Sequence, residues 1–173
     1  MVAKLRKIRN LAEANRANEL YRRGDEAWSK GHLRPAFRFF LAAARAGMAA
    51  AFSTVGQFYQ RGDGVKVDQD AALFWYRRAA RQGEDSAANN IGCILRDRGK
   101  LSEALRWFKQ AVKLGDADAN LEIAKVYLRK RDSAKARPYL QRTRRSPWVT
   151  EQSKEEARRL LGKMKSQSRK STI

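Results

Sequence analysis

The chain has 173 residues and carries 38 Lys and Arg against 18 Asp and Glu, a formal net charge of +20. A single cysteine (Cys93) excludes an internal disulfide, and a single histidine (His32) excludes a histidine-rich metal site. The longest apolar stretch, residues 37–52, is broken by Arg38 and Arg45, so we expect no membrane span. The first twenty residues lack the apolar core of a signal peptide, and we therefore expect a cytoplasmic protein.

The positive charge is concentrated at the two ends. Residues 1–23 carry 7 basic and 2 acidic side chains, and residues 129–173 carry 15 and 4, whereas the stretch between them carries 16 and 12. This distribution is typical of an ordinary soluble core with cationic flanks. Such flanks either serve solubility or attract nucleic acid, an acidic membrane surface or an acidic protein.

The N-terminal segment, residues 1–19, is predicted to be a basic amphipathic helix. Leu5, Ile8, Leu11 and Ala12 share one face at helical spacing, and basic residues occupy the rest. The helix either caps the elements that follow or stays loose until a partner binds.

Residues 20–145 repeat one helix-pair outline four times, over 20–47, 49–83, 85–115 and 117–145. Each first helix carries a small residue, and each second helix carries an alanine followed by two bulky residues. The small residues are Gly24, Gly56, Gly92 and Ala124; the alanines are Ala36, Ala72, Ala104 and Ala136. The alanines are 36, 32 and 32 residues apart, a period that predicts an all-α solenoid of about four helix pairs.

Local signals refine this outline. The small residues of the first helices are expected where two helices cross closely, since a mid-helix glycine costs roughly 1 kcal/mol and needs a packing reason. In the second repeat, Gly62 and Gly64 suit a turn and Asp68 suits an N-cap. Pro138 predicts a kink or a late start in the last repeat.

The C-terminal region is predicted to be a capping helix over 146–166, followed by a disordered basic tail over 167–173. Ser153 and Glu156 have the spacing of a capping box. Ala157, Leu160, Leu161 and Met164 form an apolar stripe that would cover the last repeat.

The second repeat resembles a Sel-one-like repeat. The resemblance rests on the G-x-G-V-x-x-D corner that begins at Gly62 and on the W-Y-x-x-A-A-x-x-G run that begins at Trp75. The first and third repeats have shorter corners and are similar to tetratricopeptide repeats. The resemblance implies a right-handed α/α superhelix that acts as an adaptor or scaffold, with no catalytic residues and no cofactor.

The concave face of this repeat class is lined mainly by first helices, which yields a candidate partner-binding groove. Its predicted residues are Tyr21, Asp25, Trp28, Gln57, Gln60, Arg61, Asn89, Arg96, Lys125 and Arg129. Amide and guanidinium groups of this kind bind peptides through hydrogen bonds and carboxylate pairing. An ordinary solvated helix face is the alternative interpretation.

A second candidate surface is the basic flanks. Its residues are Lys4, Arg6, Lys7, Arg9, Arg142, Arg144, Arg145, Arg158 and Arg159. They would contact phosphates without reading sequence. The glycine-and-aromatic pattern of an RNA-binding module is missing, which weakens this hypothesis.

Three functions therefore stay open. The first is a non-enzymatic protein-interaction module in a bacterial-type cytoplasm that holds a protein partner in the groove, with an acidic protein as one candidate. The second is an immunity-type protein that sequesters a toxin or effector, and the third is a nucleic-acid-associated module. Cys93 has no histidine nearby in the sequence to activate it, so a nucleophilic role is not expected.

Overall fold

The computed structural model describes the backbone of residues 2–170 and the side chains of residues 10–166. The described residues form nine helices and no strand, which confirms the all-α prediction. The helices are α1 Val2–Ser29, α2 Leu33–Arg45, α3 Ala50–Arg61, α4 Gln69–Arg81, α5 Asp85–Asp97, α6 Leu101–Leu114, α7 Ala119–Arg129, α8 Ser133–Arg145 and α9 Glu151–Lys170.

The chain divides into two compact units, Met1–Gln82 and Gly83–Ile173. In the first unit, α1 packs on α2, α2 on α3, and α3 on α4. In the second unit, the same serial packing runs from α5 to α9, and α5 also touches α7. Each helix thus packs mainly against its neighbours in sequence, as the repeat pattern predicts for a solenoid.

Each helix pair is held by one bulky side chain of its second helix. Phe40, Tyr76, Phe108 and Leu140 are all fully buried. They are the second members of the bulky pairs that follow the repeat alanines. The first members are less uniform, since Trp75 is buried but Phe39, Trp107 and Tyr139 are only partly covered.

The small residues of the first helices make room for these rings. A Cβ on Gly24 would lie 2.8 Å from Phe40, and one on Gly92 would lie 2.5 Å from Phe108. A Cβ on Gly56 would likewise lie 2.8 Å from the ring of Tyr76. The predicted close crossings are therefore confirmed, and glycine is required because the ring occupies the place of a Cβ.

The two helices of the fourth pair also cross closely, but with different residues at the contact. Ala124 replaces the glycine and Leu140 replaces the ring, and both are fully buried in the core of the second unit. Thr143 stands where the other repeats have a buried alanine. Its hydroxyl donates to the carbonyl of Tyr139 at 3.1 Å, which satisfies a polar group that is otherwise costly to bury.

The corner between α3 and α4 has the predicted turn chemistry. Gly62 and Gly64 have φ values of 81° and 68°, which glycine adopts at low cost. The side chain of Asp68 accepts from the backbone N–H groups of Asp70 and Ala71 at 3.0 and 2.9 Å, which confirms it as the N-cap of α4. A Cβ on Gly64 would lie 2.6 Å from the carbonyl oxygen of Leu33, so the corner lies against the start of α2.

The N-terminal segment and the first repeat helix are one element rather than two. Helix α1 runs unbroken from Val2 to Ser29. The side chains of residues 10–16 are exposed, and Ala17 is the first buried residue among those described. Among the described side chains, the packing of the first unit therefore begins at Ala17, and the predicted apolar positions Leu5 and Ile8 lie outside that range.

The C-terminal helix differs from its prediction in two details. Thr150, not Ser153, caps α9: its hydroxyl accepts from the backbone N–H of Ser153 at 3.3 Å. The predicted capping box is therefore wrong, because Ser153 already lies inside the helix. The helix also continues to Lys170, past the predicted start of disorder at Gln167, and residues 171–173 lie outside the described part.

Two further expectations are settled by α8 and α9. Helix α8 begins at Ser133 and includes Pro138, so the late start is wrong. Ala157, Leu161 and Met164 are buried with Leu140 in one cluster, which confirms the apolar stripe. The stripe covers the last helix pair as predicted.

Replacing Gly92 with alanine should destabilise the fold by about 1–3 kcal/mol, because the new methyl group overlaps the ring of Phe108. Adding Phe108→Leu should recover part of this loss, since the double variant reproduces the alanine and leucine of the fourth pair. Urea unfolding of the two single variants and the double variant measures the coupling. Gly162→Ala is the matched control: its Cβ meets open space on α9, and stability should rise by up to about 1 kcal/mol.

Gly64→Ala should lower the unfolding free energy more than Gly31→Ala. Both glycines have positive φ, which costs an L-residue about 1–2 kcal/mol, but only the new methyl group at residue 64 collides with backbone. Thermal unfolding followed by circular dichroism compares the two variants. Equal losses would show that the corner does not depend on its contact with α2.

Candidate functional site

Three helices of the second unit form a cleft with a mixed polar and apolar lining. The cleft has a volume of about 510 Å³. Its lining comes from α5, α7 and α9 and consists of Arg96, Lys125, Leu128, Arg129, Glu156 and Leu160. Three of these residues (Arg96, Lys125 and Arg129) belong to the predicted groove, and the structure brings them together.

An ion-pair network forms one wall of this cleft. Glu122 bonds to Arg96 of α5 and, at 2.9 Å, to Lys125 of its own helix. Lys125 also reaches Glu156 of α9 at 3.0 Å. Residues three apart on a helix lie on one face, which is why Glu122 and Lys125 meet. The network therefore ties α5, α7 and α9 together.

The network is partly withdrawn from solvent. The side chains of Arg96 and Glu122 are 19% and 16% exposed, so their charges are screened less than those of a surface pair. Burial by itself lowers the pKa of Lys125, but its bonds to Glu122 and Glu156 outweigh that effect and raise the pKa. Lys125 accordingly stays charged, and its charge is already matched by two carboxylates.

The groups beside the network have unused hydrogen-bonding capacity. Arg129 is exposed, and its guanidinium donates to the backbone carbonyl of Arg96 at 3.2 Å. A guanidinium has five N–H donors, so several remain for a ligand. Asn89, which was also predicted for the groove, does not line this cleft; its amide oxygen is covered and has no hydrogen-bond partner among the described residues.

The pKa of Cys93 depends on its burial and on the charges of the same network. Burial and the nearby carboxylate of Glu122 raise the pKa of this thiol to about 11. Only a thiolate is a strong nucleophile, and at neutral pH this thiol is protonated. The position of Cys93 agrees with a packing role.

The predicted groove residues of the first unit fall into two groups. Tyr21 packs its ring edge-on against Phe40 at 5.1 Å, and Gln60 accepts a hydrogen bond from the hydroxyl of Tyr76 at 2.6 Å. These two side chains therefore support the glycine-and-ring packing. Gln57 is half-buried, whereas Asp25, Trp28 and Arg61 are exposed.

The basic flank residues are only partly available for a ligand. Lys4, Arg6, Lys7 and Arg9 lie outside the described side chains. Arg158 pairs with Glu155 at 2.7 Å and Glu151 at 2.9 Å, and Arg159 approaches Glu156 at 3.5 Å. Arg142 lies over the ring of Tyr139, while Arg144 and Arg145 are exposed. Internal carboxylates thus offset part of the C-terminal charge.

Sequence reasoning missed the acidic half of the site. Glu122 and Glu156 were not predicted, although Glu122 stands three residues before Lys125, a spacing that favours pairing on a helix. Glu156 could not be found this way because it comes from a helix that is distant in sequence. Leu128 and Leu160, the apolar part of the lining, were also missed.

The described residues contain no group of three or more His, Cys, Asp and Glu side chains placed to bind a metal ion. None of the helices in the described part of the chain combines the length and apolar character needed to cross a bilayer.

Two family models match adjacent stretches of the chain. Residues 55–84 match the Sel1 repeat, and residues 86–115 match a tetratricopeptide repeat. Both stretches are those in which the sequence resembles these repeats.

Curated relatives match over 82 residues, or 47% of this chain. The identity is 33% to chitin synthase regulatory factor 4 of Schizosaccharomyces pombe and 34% to an uncharacterized protein of Neisseria meningitidis serogroup B. The match spans only 13% and 17% of the length of these two proteins.

Several solved structures share the fold at 26% sequence identity. A Sel1 repeat protein from Oxalobacter formigenes has a TM-score of 0.60, covering 73% of this chain and 56% of that one. A protective antigen of uropathogenic Escherichia coli displaying an SLR fold has a TM-score of 0.63, with 80% and 32% covered. YrrB, described as a TPR protein with an unusual peptide-binding site, has a TM-score of 0.58, with 73% and 66% covered.

The thiol of Cys93 should react slowly with an aromatic disulfide reagent near pH 8. With a pKa of about 11, its thiolate population there is lower than that of an ordinary cysteine by roughly a hundredfold or more. The rate should rise steadily as the pH approaches that pKa. Glu122→Gln should lower the pKa and speed the reaction, because it removes the negative charge that opposes the thiolate.

Glu155→Gln is the matched control for this experiment, since Glu155 is an exposed carboxylate on α9. Circular dichroism of each variant checks that the helices persist. Identical reaction rates for native protein and Glu122→Gln would contradict the described position of the carboxylate.

Proposed function

This chain carries Sel1 and tetratricopeptide repeats, and we propose that it is a non-enzymatic interaction module that binds a protein segment in the cleft between α5, α7 and α9. Repeats of these two families indicate a protein–protein interaction scaffold. The observation that carries the proposal is the cleft itself, which combines ready hydrogen-bonding groups with apolar surface inside one unit.

The cleft supplies two kinds of contact that an incoming peptide needs. Arg129 offers N–H donors to a carboxylate, in the geometry that makes such pairs strong. Leu128 and Leu160 provide apolar surface for a side chain of the partner.

The ion-pair network limits which partners fit. The charges of Arg96 and Lys125 are matched by Glu122 and Glu156, so they add little net attraction for a strongly acidic ligand. Arg129 is the cation of the lining without such a match in the described residues. We therefore expect a segment with one carboxylate beside an apolar side chain rather than a polyacidic tract.

The comparison with YrrB supports this proposal, because that protein is described as having a peptide-binding site and shares the fold and 26% identity. The immunity-type alternative would use the same surface and differs in the partner, which would be a toxin or effector. The remaining groove residues predicted on the first unit (Asp25, Trp28, Gln57 and Arg61) stay a prediction.

Nucleic-acid binding by the flanks is the competing function, and salt separates it from peptide binding. Phosphate contacts release counterions, so such binding weakens steeply between low and physiological salt. Peptide binding in a partly apolar cleft depends less on salt. The exposed Arg144 and Arg145 are the described flank residues best placed for phosphate contact.

Arg129→Ala should weaken peptide binding by about tenfold, the effect of losing roughly 1.4 kcal/mol from a charge-assisted contact. Peptides selected from a random phage-displayed library at physiological salt, after nuclease treatment of the protein, supply the ligands. Isothermal titration of the selected peptides then compares the native protein with the variant.

Lys130→Ala is the matched control, because it removes an exposed cation next in sequence that does not line the cleft. Selected peptides that bind native protein and Arg129→Ala equally would refute this site. Selection of no peptide, together with salt-sensitive binding of an oligonucleotide that is lost in Arg144→Ala and Arg145→Ala, would favour the flanks instead.

A further inference from the structure

We propose that the first unit has a second docking surface, on its α1, α2 and α4 side, that binds an acidic amphipathic helix of a protein partner. The surface consists of two adjoining clefts of about 680 and 400 Å³. Leu41 and Arg45 line both of them, so the two clefts adjoin at these residues. We call this surface the arginine cleft.

The floor of the arginine cleft is apolar. Leu20, Leu41 and Ala42 are only partly buried, so each leaves apolar surface in contact with water. Phe74 of α4 is 53% exposed and lines the second part of the cleft. Contiguous apolar surface of this kind, bordered by polar groups, is typical of interaction sites.

The rim is strongly basic. Arg16, Arg38 and Arg45 border the first part, and Arg45 and Arg78 border the second. Glu13 is the acidic residue in the lining. No carboxylate among the described side chains forms an ion pair with any of these four arginines, so their charge is available to a partner. This is the opposite of the cleft in the second unit, where carboxylates of the chain match two of the three cations.

Aromatic side chains position the guanidinium of Arg78, which can bind a carboxylate. Its guanidinium lies over the rings of Phe52, Trp75 and Phe74, at 4.8, 5.6 and 5.9 Å from their centroids. These cation–π contacts restrict the motion of the side chain and use none of its five N–H donors. A carboxylate that accepts from those donors therefore binds with little further loss of side-chain freedom.

The same stacking disfavours nucleic acid as the occupant. A base would need a free aromatic face, but Trp75 is buried and the exposed ring of Phe74 already has the Arg78 guanidinium 5.9 Å from its centroid. In the first part of the cleft, the Leu and Ala side chains also suit aliphatic residues of a protein better than they suit bases.

A helix fits this floor better than an extended strand does. An extended peptide needs partners for its backbone N–H and C=O groups, and a floor of Leu and Ala side chains supplies few. A helix satisfies its own backbone and presents apolar residues at three- and four-residue spacing, with acidic residues on either side facing the arginines. The occupant is therefore an amphipathic helix with Glu or Asp beside its apolar stripe.

The test uses a fluorescein-labelled synthetic peptide of about 18 residues, or roughly five helical turns, with Leu at helical spacing and Glu flanking the stripe. Two relatives are made: one with Lys in place of Glu, and one with the same composition but scrambled leucines. Fluorescence anisotropy at about 0.15 M salt measures binding to the full chain. We expect the acidic peptide to bind at least about tenfold more tightly than either relative.

Arg45→Glu should weaken binding of the acidic peptide by about tenfold or more, because residue 45 lines both parts of the cleft. Arg34→Glu is the matched control: it makes the same charge change on the same helix at an exposed position outside the cleft. Arg129→Ala should leave this binding unchanged, which separates the result from the peptide site of the second unit. Circular dichroism confirms that each variant is folded.

Three results would overturn the proposal. Equal binding of the scrambled peptide would mean that net charge alone attracts it. Equal effects of Arg45→Glu and Arg34→Glu would mean that the cleft is not the site. Binding of a single-stranded oligothymidylate that is lost in Arg45→Glu, without binding of the acidic peptide, would assign the cleft to nucleic acid.

Discussion

The contact between a glycine of one helix and a ring of the next is the interaction on which each unit depends. Phe108 occupies the space where a Cβ of Gly92 would lie, and the first unit repeats this arrangement twice. Because the ring is fully buried, its apolar surface contributes to folding, and the absent side chain lets the two helix backbones approach closely. In the fourth pair, Ala124 is larger than glycine by a methyl group, and Leu140 is smaller than an aromatic residue. The two helices therefore still pack closely.

This packing determines which faces of the helices are free for function. In the second unit it leaves polar faces of α5, α7 and α9 directed to one cleft, where Glu122 and Glu156 neutralise Arg96 and Lys125. In the first unit it leaves, on the α1, α2 and α4 side, arginines that form no ion pair with a carboxylate among the described residues. The two surfaces therefore differ in electrostatics, which is why the proposed partners differ in charge.

The repeat architecture explains how the chain accommodates a large net charge. Charged residues lie mainly on the helix faces opposite the small and bulky core residues. The cations are therefore exposed, and solvent and salt screen the repulsion between them. At the C-terminal helix, Arg158 offsets part of this repulsion by pairing with Glu151 and Glu155 on the same helix. Arg45 and Arg129, which line the clefts of the two units, have no such partner among the described residues.

The order of the helix pairs, the glycine positions and the cap at Asp68 could all be predicted from the sequence, because each depends on residues within one repeat. Local spacing decides where a helix can start and which residue must be small. Only the tertiary structure decided that Glu156 reaches Lys125, that Gln60 accepts a hydrogen bond from Tyr76, and that Leu41 and Arg45 line two adjoining clefts. Those contacts join side chains from different helices, and their geometry depends on how the helices stack, which no short stretch of sequence records.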